Sequence, residues 1–159
     1  MKKIFLLAVV FTLLLTGCLT KDSSQSGATL RVVLDKNTVS AGDSVNAKLL
    51  LDTDEKLVTT AKVFLTYNAE VLEITEEGID LSNSAFSINP FQEIKSNQIE
   101  LVLGKPYPGV EGVVEIANLS FKALKSANTS LNFNSQLSVV LSESKNILTK
   151  RESADLEIK

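Results

Sequence analysis

The chain has no histidine and no tryptophan, a single cysteine, two tyrosines and three prolines among 159 residues. Without histidine there is no imidazole base, no Ser-His-Asp or Cys-His constellation and no histidine-based metal cage. One cysteine allows neither an intrachain disulfide nor a thiolate cluster. Sixteen basic residues against nineteen acidic ones leave no positive excess for a phosphate backbone, which argues against nucleic acid as a partner. What is present is a 44% hydrophobic and 22% charged composition. That is enough for a packed core and excludes wholesale disorder, at a length suited to one domain plus a targeting segment.

Lys2 and Lys3 precede an apolar run from Ile4 to Leu15, too short to span a bilayer comfortably as a helix. The run ends in Leu15-Thr16-Gly17-Cys18, which resembles the lipobox of bacterial lipoproteins. In that family the cysteine thiol is alkylated by diacylglycerol, the preceding peptide is removed and the new amino group is acylated. The resemblance implies a signal peptide at 1–17, lipidation at Cys18 and a bacterial envelope location. Two or three acyl chains anchor a protein stably where one does not. Leu19 follows the cysteine, with no aspartate there. In diderm lipoproteins that permits transfer to the outer membrane; in a monoderm the anchor sits on the outer face of the cell membrane. Removing 1–17 takes two lysines away, so 14 basic residues face 19 acidic ones. An acidic body is mildly repelled by anionic headgroups, and membrane contact is expected from the lipid alone. Residues 18–28, small and polar after the cysteine, read as a flexible tether.

From residue 29 to 159 the main signal is apolar/polar alternation broken by turn residues. Leu30, Val32 and Leu34 share a face, as do Val45, Ala47, Leu49 and Leu51, and then Ala61, Val63, Leu65 and Tyr67. Residues 77–98 read as a long connection holding at most one short strand. Ile99, Leu101 and Leu103 alternate, whereas Ile116 has the wrong parity for Leu119, Phe121 and Ala123, so a bulge is expected near Ala117. Leu131 and Phe133, then Leu137, Val139 and Leu141, then Ala154, Leu156 and Ile158 supply the last strands. About nine strands and no useful helical stripe predict an all-β, two-sheet antiparallel sandwich.

Candidate chemistry is sparse. Asp52, Asp54 and Glu55 lack the glycine and distal glutamate of a calcium loop and read as a solvated turn. Glu70, Glu73, Glu76 and Glu77 lie along one short strand and its exit, so they do not oppose each other across a cleft. No catalytic group, metal site or cofactor is therefore expected, and the chain reads as a non-enzyme. Tyr107, held between Pro106 and Pro108, is the tyrosine expected to be presented for stacking on a sugar. Phe64 falls on the non-core face of its strand with Lys62 and Thr66, and Val102 lies opposite Ile99 and Leu101. A contiguous set of such residues would mark a protein-binding face.

Three segments, in order, resemble a cohesin domain. They are Val39-Ser40-Ala41-Gly42-Asp43-Ser44-Val45, then 63–74 with its Leu65-Thr66-Tyr67-Asn68-Ala69 corner, then 111–123 from Glu111-Gly112 to Ala123. Asn68-Ala69 stands where the family usually has Asp-Pro, and the chain holds neither a second cohesin copy nor a dockerin-like repeat. The resemblance implies a nine-stranded jelly roll that docks a dockerin-like protein on one flat sheet face. That face includes the strand at 60–67, with Phe64, Lys62, Thr66 and Val102 as the partner-binding residues. The related carbohydrate-binding modules supply the alternative: a polysaccharide ligand, with Tyr107 as its platform.

Overall fold

The computed structural model describes residues 26–159. The signal peptide expected at 1–17, Cys18 and most of the 18–28 tether lie outside the described residues. The first strand, β1, begins at Ala28, one residue earlier than the alternation indicates. Ala28 is fully buried and its N–H donates to the Ile147 carbonyl at 2.8 Å.

The remaining strands are β2 (Thr38–Val39), β3 (Ser44–Asp52), β4 (Thr60–Thr66), β5 (Leu72–Glu73), β6 (Ile79–Asp80), β7 (Ile88–Lys95) and β8 (Gln98–Gly104). They continue with β9 (Val113–Ala123), β10 (Ala127–Phe133), β11 (Val139–Ser142), β12 (Lys145–Asn146), β13 (Leu148–Glu152) and β14 (Ala154–Ile158). A six-stranded sheet runs β13-β1-β3-β9-β5, with β6 also on β9. An eight-stranded sheet runs β12-β11-β4-β10-β14-β2, extended from β4 through β8 to β7. This is the all-β jelly-roll sandwich expected, with two departures. The described residues form fourteen strands rather than about nine, four of them only two residues long, and β1–β13 and β14–β2 pair in parallel while the other pairs are antiparallel.

The sheets bury the predicted faces against each other. Leu30, Val45, Ala47, Leu49, Leu51, Ala61, Val63, Leu65, Ile99, Leu101, Phe121 and Leu131 belong to one core cluster. Burying each large side chain is worth about 1.5–3 kcal/mol relative to exposure, so this alternation is the main stabilising pattern. The bulge falls where parity demanded it. Leu49 pairs with Ala117 and Leu50 with Glu115, leaving Ile116 as the extra residue, and Ile116 and Ala117 are both buried.

Two readings need correction. Residues 77–98 hold a full edge strand, β7, hairpinned to β8. Pro90 and a register shift between Ile88 and Phe91 break its alternation, as an edge position tolerates. In β11 the inward residue is Val140, while Leu137 is exposed and precedes the strand. Pairing of Val140 with Ala61 sets that parity, and two adjacent valines cannot reveal it locally.

Candidate functional site: the outer face of the eight-stranded sheet

The site begins with register. Directly paired residues of neighbouring strands point to the same side of a sheet. The pairings Phe91–Val102, Val102–Lys62 and Lys62–Val139 therefore make one row across β7, β8, β4 and β11. On one side of it lies Ile88–Gly104–Thr60–Leu141, and on the other Glu93–Glu100–Phe64. Gln98–Thr66–Asn132 closes the face. Lys62, Phe64, Thr66 and Val102, the four predicted partner-binding residues, thus share one surface.

Their exposures differ from expectation. Phe64 lies on this face, outside the main core cluster, yet it is only 6% exposed. The reason is local. β11 pairs with β4 over 60–62 and β10 over 65–66, so neither strand flanks Phe64. The 134–138 segment fills that gap. The Phe64 N–H donates to Ser138 Oγ at 3.1 Å, and the Phe64 carbonyl accepts from Ser138 Oγ at 3.3 Å and from the Asn134 N–H at 2.9 Å. Asn134 Oδ1 in turn accepts from the Gln136 and Leu137 N–H groups, closing an Asx-type turn. The Lys62 ammonium sits 4.7 Å from the Phe64 ring centroid and 3.1 Å from a Glu100 carboxylate oxygen. Phe64 is a floor under the face rather than a protruding contact.

Of the protruding apolar groups, Val102 is the one expected on this face; Ile88 and Phe91 fall in the stretch read as a connection, and Val139 and Leu141 in a strand whose inward residue is Val140. Phe91 is 43% exposed, Ile88 is also exposed, and Val102, Val139 and Leu141 are half-buried. The signal of Ile88 and Phe91 in the sequence is weak because Pro90 interrupts the alternation of β7. Charge lies along one side: the Glu93 carboxylate, 3.0 Å from Lys95, holds the Lys95 ammonium pKa above its ordinary value.

Ser138 is one of two fully buried polar residues among those described, with Thr53. Ser138→Ala leaves the Phe64 N–H without its partner, and is expected to cost about 1–3 kcal/mol. Urea denaturation of the purified domain measures the loss. Faster amide exchange at Phe64 than at Val63 would localise it.

The other candidates lie elsewhere. Tyr107 is 88% exposed on the loop after β8, a lone ring. Glu70, Glu73, Glu76 and Glu77 are exposed around β5 and a single 3-10 turn at 76–78, with no cleft between them. Asp54 accepts from Ser26 Oγ at 2.6 Å, and that bond, aided by Lys56, holds its carboxyl below the ordinary value. The acidic loop is engaged with its own chain.

A family model of the cohesin domain matches residues 30–158. Among curated proteins, none matches the sequence. Solved structures are similar at low identity. A non-cellulosomal cohesin from the archaeon Archaeoglobus fulgidus is 14% identical at a TM-score of 0.68, covering 84% of this chain and 91% of that one. The cohesin module of a Clostridium perfringens family 33 glycoside hydrolase is 15% identical at 0.69, covering 84% and 98%. The sixth cohesin of Acetivibrio cellulolyticus scaffoldin B, solved in complex with a Cel5 dockerin, is 16% identical at 0.69, covering 84% and 99%. With the family model spanning the whole described sandwich except its outermost residues, the chain belongs to the cohesin domain family.

Proposed function

We propose that the chain is a non-catalytic docking module. It is held in a bacterial envelope by lipid on Cys18 and binds a dockerin-type protein on the outer face of its eight-stranded sheet. The observation that carries the reading is the row Phe91–Val102–Lys62–Val139, an apolar strip crossing four strands around one cation. The outer face of the six-stranded sheet also exposes Val33 and Val113, but among the described residues it has no exposed aromatic ring and carries two ion pairs, Arg31 with Glu152 and Lys48 with Glu115 at 2.9 Å. An interface core is apolar and aromatic with a polar rim, and the first face fits that anatomy better. The scaffoldin B relative bound to a dockerin supports the partner class. The lipobox-like Leu15-Thr16-Gly17-Cys18 supports the anchor.

Titration of the domain with purified dockerin modules from the same organism tests the partner, and saturable binding to at least one is expected. Retention by polysaccharide gels with no dockerin bound would replace this reading with the glycan one centred on Tyr107. Labelled palmitate tests the anchor: the wild-type chain should take up label and Cys18→Ala should not.

A further inference from the structure

We infer that the end of the sandwich bearing Tyr107, Leu57 and Val113 is a membrane-contacting surface that seats on the lipid bilayer. The inference rests on lipid attachment at Cys18.

The loops at this end are tied together. Ser26, where the described chain begins, donates to Asp54 in the β3–β4 connection. That connection zips to the β8–β9 loop through Val58 and Val110, whose N–H groups each donate to the other's carbonyl at 2.8 Å. Gly112 N–H donates to Thr53 Oγ1 at 2.9 Å, and Lys105 N–H donates to the Thr59 carbonyl at 2.9 Å. Gly109 permits the approach: its φ is +95°, and a Cβ there would strike the Val58 carbonyl. Val113 opens β9 opposite Asp52, beside the same loops.

Three large apolar side chains reach solvent at this end, among charged ones. Tyr107 is 88% exposed, Val113 63% and Leu57 40%. Tyrosine with aliphatic neighbours suits the headgroup boundary, where a ring buries its body and keeps its hydroxyl wet. Lys56, Lys105 and Lys145 share the end with Asp54, Glu55, Glu111 and Glu143, so no positive excess draws it to anionic lipid. The contact is made by these three side chains on neutral lipid. It departs from the expectation of contact through the lipid anchor alone, because the repulsion of an acidic body applies to anionic headgroups.

Chain length dictates which end faces the bilayer. Cys18 and Ser26 are eight residues apart, a reach of at most about 26–29 Å. β9 has 11 residues and runs the length of the sandwich from Val113 to Ala123, roughly 35 Å at strand rise. A tether joined at the Ser26 end is too short to carry the opposite end, with Leu124, down to the lipid. The proximal end is held within a tether's length of the headgroups, where even weak apolar contacts are populated. The rows of the docking face then lie parallel to the membrane, with Ile88 and Leu141 nearest to it.

The absence of tryptophan makes the test direct. The full lipidated chain carrying Tyr107→Trp, and a second carrying Leu124→Trp, are reconstituted in vesicles of neutral phosphatidylcholine. The lipid is brominated along its acyl chains. Both positions are exposed, so neither change disturbs the core. A blue shift and strong quenching of the fluorophore at 107, with neither at 124, is the expected result. Equal quenching at both positions, or none at 107 in a chain whose mass carries diacylglycerol on Cys18, overturns the seating and leaves the anchor standing. A mass showing unmodified Cys18 overturns both.

Discussion

Phe121→Ala is expected to cost about 3–5 kcal/mol and to lower Tm by roughly 10–20 °C, the largest loss from a single core truncation here. Phe121 is fully buried in β9, directly opposite Val45 of β3. Its ring meets Tyr67 at the end of β4, with centroids 5.4 Å apart and planes at 60°, an edge-to-face contact. Tyr67 follows a strand of the eight-stranded sheet and Phe121 belongs to the six-stranded one, so the pair joins the two layers. Truncation removes the buried ring, the aromatic contact of about 0.5–1.5 kcal/mol, and the filling between rigid sheets that cannot close the gap. Domains of this size have about 5–15 kcal/mol in total, so the variant should retain its fold with little margin. Chemical denaturation measures the cost, and Phe121→Leu should recover more than half of it. A loss below about 1 kcal/mol would mean that the layers collapse around the vacancy, against the close packing argued here.

Val102→Asp should weaken dockerin-type binding by at least about 30-fold while shifting stability by less than about 1 kcal/mol. Val102 sits between Phe91 and Lys62 at the middle of the apolar row. A carboxylate there adds to Glu100, two residues away on the same strand face, and must lose its water when a partner covers it. Stability is spared because Val102 is half-exposed and the directly paired Lys62 can take the new charge. Isothermal titration beside a thermal melt separates the two effects. Phe64→Ala is a poorer probe of docking, because a side chain only 6% exposed reports on packing as well. Unchanged affinity in Val102→Asp would move the docking site off this sheet.

The readings that held rest on strict alternation. β3 and β4 bury Val45, Ala47, Leu49 and Leu51, and Ala61, Val63 and Leu65, on one face each, as their sequence pattern implies. The bulge at Ile116 was legible for the same reason: a parity conflict inside one strand has a single local remedy. The readings that failed lacked that regularity. β7 is an edge strand with a proline and a register shift, so it needs neither alternation nor continuous apolar character to pair with β8. Val139 and Val140 are chemically alike, and only pairing with β4 selects the inward one.

Read by itself, the sequence determined the class of fold, the inward face of most long strands, and the grouping of Lys62, Phe64 and Thr66 opposite the core face of one strand. Side chains alternate along a strand, so a face is written in a dozen consecutive residues. The tertiary structure decided which strands lie side by side, and with them the functional surface. β4 borders β8 and β11, strands that begin 38 and 79 residues after its first residue, Thr60. Those lateral pairings bring Phe91, Val102 and Val139 into one row, and the split between β10 and β11 closes the 134–138 segment over Phe64. Alternation is a local property, whereas adjacency between strands is settled only when distant segments compete for the same backbone hydrogen bonds.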